Sequence, residues 1–182
     1  GIDPGRLDAE RIAAKARRRD WGRQVELDDA PEIRGVMDGI RARAVRLGAH
    51  VAKAKTQTMG SDGVYLGGGD ILIATRNTPA AMNEGADHEL VHFLDERADA
   101  DVRSLRQKIN RGSRTWTALR EWLVGNYRRN LLDSGLSARD AQDWIDRHVR
   151  PDDVDRELVA ELARPTTGPG LDLWQAFGAL RK

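Results

Sequence analysis

The sequence predicts an α+β fold, mostly helical, built around a small mixed sheet. Two observations carry that prediction. Four stretches, residues 33–47, 114–132, 138–149 and 151–163, repeat apolar residues at helical spacing. One block, residues 51–75, changes period, is rich in β-formers and is broken by glycine. A chain of 182 residues is long enough to bury a core of its own.

In chain order, Asp8 to Arg19 reads as a short basic helix ending in Arg17-Arg18-Arg19, a solvated helix end or linker. Asp28-Asp29 precede Pro31, which suits a first helical turn. Ile33, Val36, Met37, Ile40, Ala44 and Leu47 then mark a core-packing helix that Gly48 ends. Val51–Lys55, Val64–Leu66 and Ile71–Ala74 are strand candidates, the last two joined by a Gly67-Gly68-Gly69-Asp70 hairpin loop. No Lys-Ser/Thr follows those glycines, which rules out a phosphate loop. Thr78 and Pro79 suit the cap and first turn of the next helix. A strand directly before that helix is expected to offer a free edge to an extended peptide. Further on, Trp116, Leu119, Leu123, Tyr127 and Leu131 share a helix face. Gly135 ends that helix, and Ser137 caps another running to Val149. Pro151 and Asp152-Asp153 open the helix Pro151 to Ala163, whose inward face is Val154, Leu158 and Leu162.

Composition narrows the function. Charge is plentiful but nearly balanced, at net +1, so there is no bulk electrostatic case for nucleic acid. The absence of cysteine excludes disulfides and thiolate zinc sites. No apolar run approaches a membrane span. The start, Gly1-Ile2-Asp3-Pro4, is no signal peptide. The expectation is a soluble domain, cytoplasmic or delivered as part of a larger protein.

The helix after the sheet carries His88-Glu89-Leu90-Val91-His92, a His-Glu-x-x-His sequence. Residues four apart share a helix face, so His88 and His92 present two imidazoles to one point, half of a tetrahedral zinc site. Glu89 can lean over the ion and act as general base. Only four histidines exist in the chain, and two fall in this spacing. The bland alternative is a pair of surface histidines on an acidic helix.

A catalytic zinc usually takes three protein ligands. The His-x-x-Gly-x-x-His continuation is excluded, because Asp95 and Ala98 stand where glycine and histidine would be. Glu96 lies two turns from His88, too far along one rigid helix to converge with it. His148 reads as a hydrogen-bonded packing residue. The better source is the helix from Pro151, where Glu157 and Glu161 border an apolar face and need partners there. One carboxylate on the metal and one bonded to a ligating histidine would meet that need; arginines at the core edge would too.

Together, His88-Glu89-Leu90-Val91-His92 and the later Glu157-Leu158-Val159-Ala160-Glu161 resemble the Glu-zincin metallopeptidases. The resemblance is to the branch holding the anthrax lethal factor protease domain and phage, mobile-element and toxin-associated zincin-like domains. It covers roughly residues 64–162. It implies a zincin-like fold in which His88, His92 and Glu157 bind Zn2+, Glu89 is the general base and Glu161 hydrogen-bonds a ligating histidine. It also implies a tyrosine shortly before the glutamate helix to steady the oxyanion. Here Arg150 and Pro151 occupy that place, and Tyr127 is the other candidate.

The expected organisation is a basic helical segment or linker (1–27), a zincin-like domain (28–164), and a linker with a short helix docking on it (165–182). The expected function is peptide-bond hydrolysis by metal-activated water, on a protein or peptide substrate, with no membrane and no clear nucleic-acid partner. The alternatives are a catalytically silent binding or phage structural module, and a nucleic-acid-associated peptidase.

Overall fold

A computed structural model describes residues 3–19, 25–30, 34–59, 61–76 and 78–161. The expected α+β class is met. Seven α-helices and one three-stranded mixed sheet lie among the described residues. The chain divides into two compact units, residues 1–96 and 97–182. The domain expected over 28–164 thus spans a division at Glu96/Arg97.

The first unit contains α1 (Pro4–Arg17), α2 (Arg34–Leu47), β1 (His50–Ala54), β2 (Gly63–Tyr65), β3 (Asp70–Ala74) and α3 (Pro79–Glu96). Its strand order is β1-β3-β2. β3 pairs in parallel with β1, Val51 opposite Ile71, and antiparallel with β2, Val64 opposite Leu72. The strand directly before α3 is therefore central and offers no free edge, which corrects the expectation. Among the described residues no strand pairs with the outer side of β2.

Both faces of the sheet are covered, which explains why β3 reads as an unbroken apolar run. On one face, Val51, Ile71 and Ile73 pack with Met37, Ile40 and Ala44 of α2 and with Met82, Ala86, Leu90 and Phe93 of α3. On the other, Ala52, Ala54 and Leu72 pack with Ile12 and Ala13 of α1. The N-terminal helix is thus part of this core, with Ile12 and Ala13 wholly buried, although its arginines suggested a solvated segment.

The turn between β2 and β3 needs its glycines. Gly67, Gly68 and Gly69 all have positive φ, 81°, 63° and 84°, where a Cβ is strained. Behind the turn, Asp70 is buried and accepts from Arg11 Nη1 and Nη2 at 2.7 Å each and from Lys15 Nζ at 2.9 Å. Lys15 Nζ also donates to the Gly67 carbonyl at 2.6 Å. One buried carboxylate therefore ties α1 to the hairpin.

In the second unit, α4 (Ala100–Gln107), α5 (Arg114–Asp133), α6 (Ala138–His148) and α7 (Pro151–Ala160) follow. Val102, Leu119, Leu123, Leu131, Ile145, Val154 and Leu158 are among the larger buried apolar residues on these helices, with Val149 between the last two helices. Ser113 and Ser137 cap α5 and α6 by accepting from Trp116 N and Asp140 N. Gly135, at φ 91°, follows the end of α5 as expected. Asp153 accepts from Arg150 N at 3.0 Å and so closes the first turn of α7. The segment 165–182, expected to be a linker and a docking helix, lies outside the described residues, as do Leu162 and Ala163.

Candidate metal centre

The His-Glu-x-x-His stretch lies in the third and fourth turns of α3. Thr78 Oγ1 accepts from Ala81 N at 3.2 Å, and Pro79 fills the first helical position, so the helix starts where the sequence places it. Met82, Ala86, Leu90 and Phe93 form its sheet-facing stripe. Both histidines lie to one side of that stripe, and Glu89 falls between it and them at about 100° per residue.

Each imidazole has a defined place. His88 is buried and His92 half-buried. Their rings meet edge-on, with centroids 4.9 Å apart and planes at 74°. Their Nε2 atoms lie 3.2 Å apart. Two nitrogens about 2.05 Å from one tetrahedral zinc are separated by about 3.3 Å, so this spacing fits two ligands of a single ion. Without an ion the same spacing suits one ring donating to the other.

Glu89 is 5% exposed. Its side chain lies against β2. A Cβ built on Gly63 would stand 2.9 Å from Glu89 Cγ and Oε1. Two residues along the same strand face, Tyr65 packs on Phe93, with ring centroids 6.1 Å apart, and its hydroxyl donates to Glu96. Gly69 N donates to the same hydroxyl at 3.1 Å. Burial, then the Glu96 bond, pushes the Tyr65 phenol up to about 12, so it remains a donor at neutral pH. Two strand residues advance about 6.7 Å and four helical residues about 6 Å, so Gly63 and Tyr65 keep step with Glu89 and Phe93.

On α7, Val154 and Leu158 are buried, as the periodicity predicts. Glu157 is half-buried, and Glu161, at the C-terminal cap, is 7% exposed. The helix is held by Asp155, which is buried. Asp155 accepts from Trp116 Nε1 at 2.9 Å, Arg111 Nη2 at 2.6 Å and Arg111 Nε at 3.1 Å. Asp155 and Glu157 are two positions apart, so they leave the helix on opposite sides.

Among the described residues, one group has the composition of a metal site. His88, His92 and Glu157 offer one ligand atom each, and these atoms lie within 4.8 Å of one another. Two imidazoles and a carboxylate are a donor set that zinc accepts. The other candidates have other roles. His148 is exposed, stacks on Trp144 at 4.2 Å, and its Nδ1 lies 2.7 Å from the Trp144 carbonyl. Tyr127 packs on the same indole at 5.2 Å. Glu96 is occupied by Tyr65.

Sequence reasoning missed Gly63 and Tyr65. The available signal was a glycine inside a β-rich stretch where no turn required one. No protein family, no curated protein and no solved structure matches this chain.

Proposed function

We propose that this protein is a zinc-dependent peptidase of zincin type. The observation that carries the reading is the three-residue group, in which the nitrogens of a His-Glu-x-x-His helix and the Glu157 carboxylate lie close enough to share an ion. Zinc, when bound there, acidifies a water and polarises a scissile carbonyl. His88, His92 and Glu157 are the residues that would hold it. Glu89 takes the proton of the attacking water and delivers it to the leaving nitrogen. Its burial and its close approach to Gly63 restrict where that side chain can go. The short strand β2, running along α3 next to Glu89, is the edge on which an extended peptide would add by main-chain hydrogen bonds. Glu161, one turn beyond Glu157, would steady a ligating histidine by a hydrogen bond.

The test combines metal analysis with a peptide-cleavage assay. Purified protein should carry about one zinc per chain. Cleavage of a denatured protein or a quenched-fluorescence peptide library should stop with chelator and return with zinc. Glu89→Gln should keep the metal and the fold and lose roughly 10²–10⁴-fold in kcat. A Glu89→Gln protein as active as its parent overturns the mechanism. Zinc bound with no cleavage in any arm favours a silent binding module instead.

A further inference from the structure

Gly63 sits in a strand, where glycine is disfavoured, and nothing in its backbone calls for glycine. Its φ is not among the positive values found at Gly48, Gly67, Gly68, Gly69 and Gly135. An alanine could adopt the same backbone. What forbids a side chain is space. A Cβ there would lie 2.9 Å from Glu89 Cγ, 2.9 Å from Oε1 and 3.3 Å from Cδ, and every one of these atoms belongs to Glu89. The strand is paired with β3 on one side and tied to α3 by Tyr65 through Phe93 and Glu96, whereas the Glu89 side chain can give by rotating about its own bonds. A methyl group at 63 would therefore displace the Glu89 carboxylate rather than the strand.

We propose that Gly63 is a positioning residue for Glu89: the missing side chain at 63 defines the slot in which the Glu89 carboxylate lies. The consequence for catalysis rests on the peptidase reading above; the slot itself does not. A shift of about 1 Å in a catalytic group costs on the order of 10²-fold. Gly63→Ala should therefore lower kcat by roughly 10–100-fold, with KM within about twofold and zinc stoichiometry unchanged. Gly39→Ala on α2, where a Cβ meets nothing within 4 Å, is the control and should match the parent.

A stability cycle tests the slot without any activity. Glu89→Ala removes the three atoms nearest to a Cβ at 63. Gly63→Ala should destabilise the parent more than it destabilises the Glu89→Ala protein, and a Gly63→Ala protein that fails to fold should fold again with Glu89→Ala added. Equal effects in the two backgrounds overturn the proposal, as does a Gly63→Ala enzyme with parental kcat. If the parent itself cleaves nothing, the peptidase reading fails, and the cycle alone decides the role of Gly63.

Discussion

Replacing Asp70 by asparagine tests the link that fastens α1 to the β2–β3 hairpin. Asp70 is 3% exposed and accepts three charge-assisted hydrogen bonds, two from Arg11 and one from Lys15. An asparagine keeps one acceptor and turns an amide N–H toward cationic donors. Two such bonds lost, at about 1.5–3 kcal/mol each, would cost about 3–6 kcal/mol. The Arg11 and Lys15 side chains are 49% and 32% exposed and can turn to water, which reduces the cost to about 2–3 kcal/mol. For a chain of this length the midpoint should fall by roughly 5–10 °C. The acid dependence follows from the direction of the Asp70 shift. Burial raises its carboxyl, but the hydrogen bonds and charges of Arg11 and Lys15 outweigh burial and leave it below the usual range. A depressed folded-state pKa contributes stability that is present above the unfolded value of about 3.9 and lost as pH falls through the folded one. Urea unfolding of parent and Asp70→Asn should thus show a constant gap from about pH 8 to pH 5 that narrows below about pH 4. A gap under about 0.5 kcal/mol at pH 7, within ordinary surface-substitution noise, or one that widens in acid, refutes the reasoning.

Two further outcomes come from particular contacts. Asp155→Asn sets an amide against Arg111 or Trp116 and should cost about 2–3 kcal/mol by urea unfolding; zinc affinity should fall with it if α7 supplies a ligand, and a neutral effect contradicts the anchoring role. In the glycine turn, Gly67→Ala should cost about 1–2 kcal/mol from backbone strain alone, since its Cβ meets nothing within 4 Å. Gly69→Ala should cost measurably more, because its Cβ would stand 3.1 Å from the Gly48 carbonyl; equal costs in thermal melts would mean that the carbonyl yields freely.

Much of this fold was legible in local residue patterns. The glycine hairpin, the capped and proline-started α3, and the serine-capped α5 and α6 are each written within a few residues of where they occur. The imidazole pair on one face of α3 is legible for the same reason, because helical geometry relates His88 to His92 without reference to the rest of the chain. What stayed hidden depends on pairings distant in sequence. Nothing local says that Ile71–Ala74 is central rather than an edge, since strand order is set by which hydrophobic faces find cover. The arginines of α1 masked two wholly buried residues, Ile12 and Ala13, because a helix can be basic on one side and apolar on the other. Gly63 carried no message until Glu89 was seen beside it.

The two neighbours in the sheet differ sharply in how firmly they are held. β3 is bonded along both sides and buried throughout its five residues, whereas β2 has three residues, one bonded flank and partial exposure. Local opening should therefore begin at β2 and leave β3 closed, since short, half-covered ladders have the lowest opening free energies. Because the slot for Glu89 is part of β2, brief fraying of that one strand would loosen the carboxylate while the imidazoles on α3 stayed fixed. The chain thus combines a rigid ligand-bearing helix with a softer wall, and the softer wall would set how sharply the base is aimed.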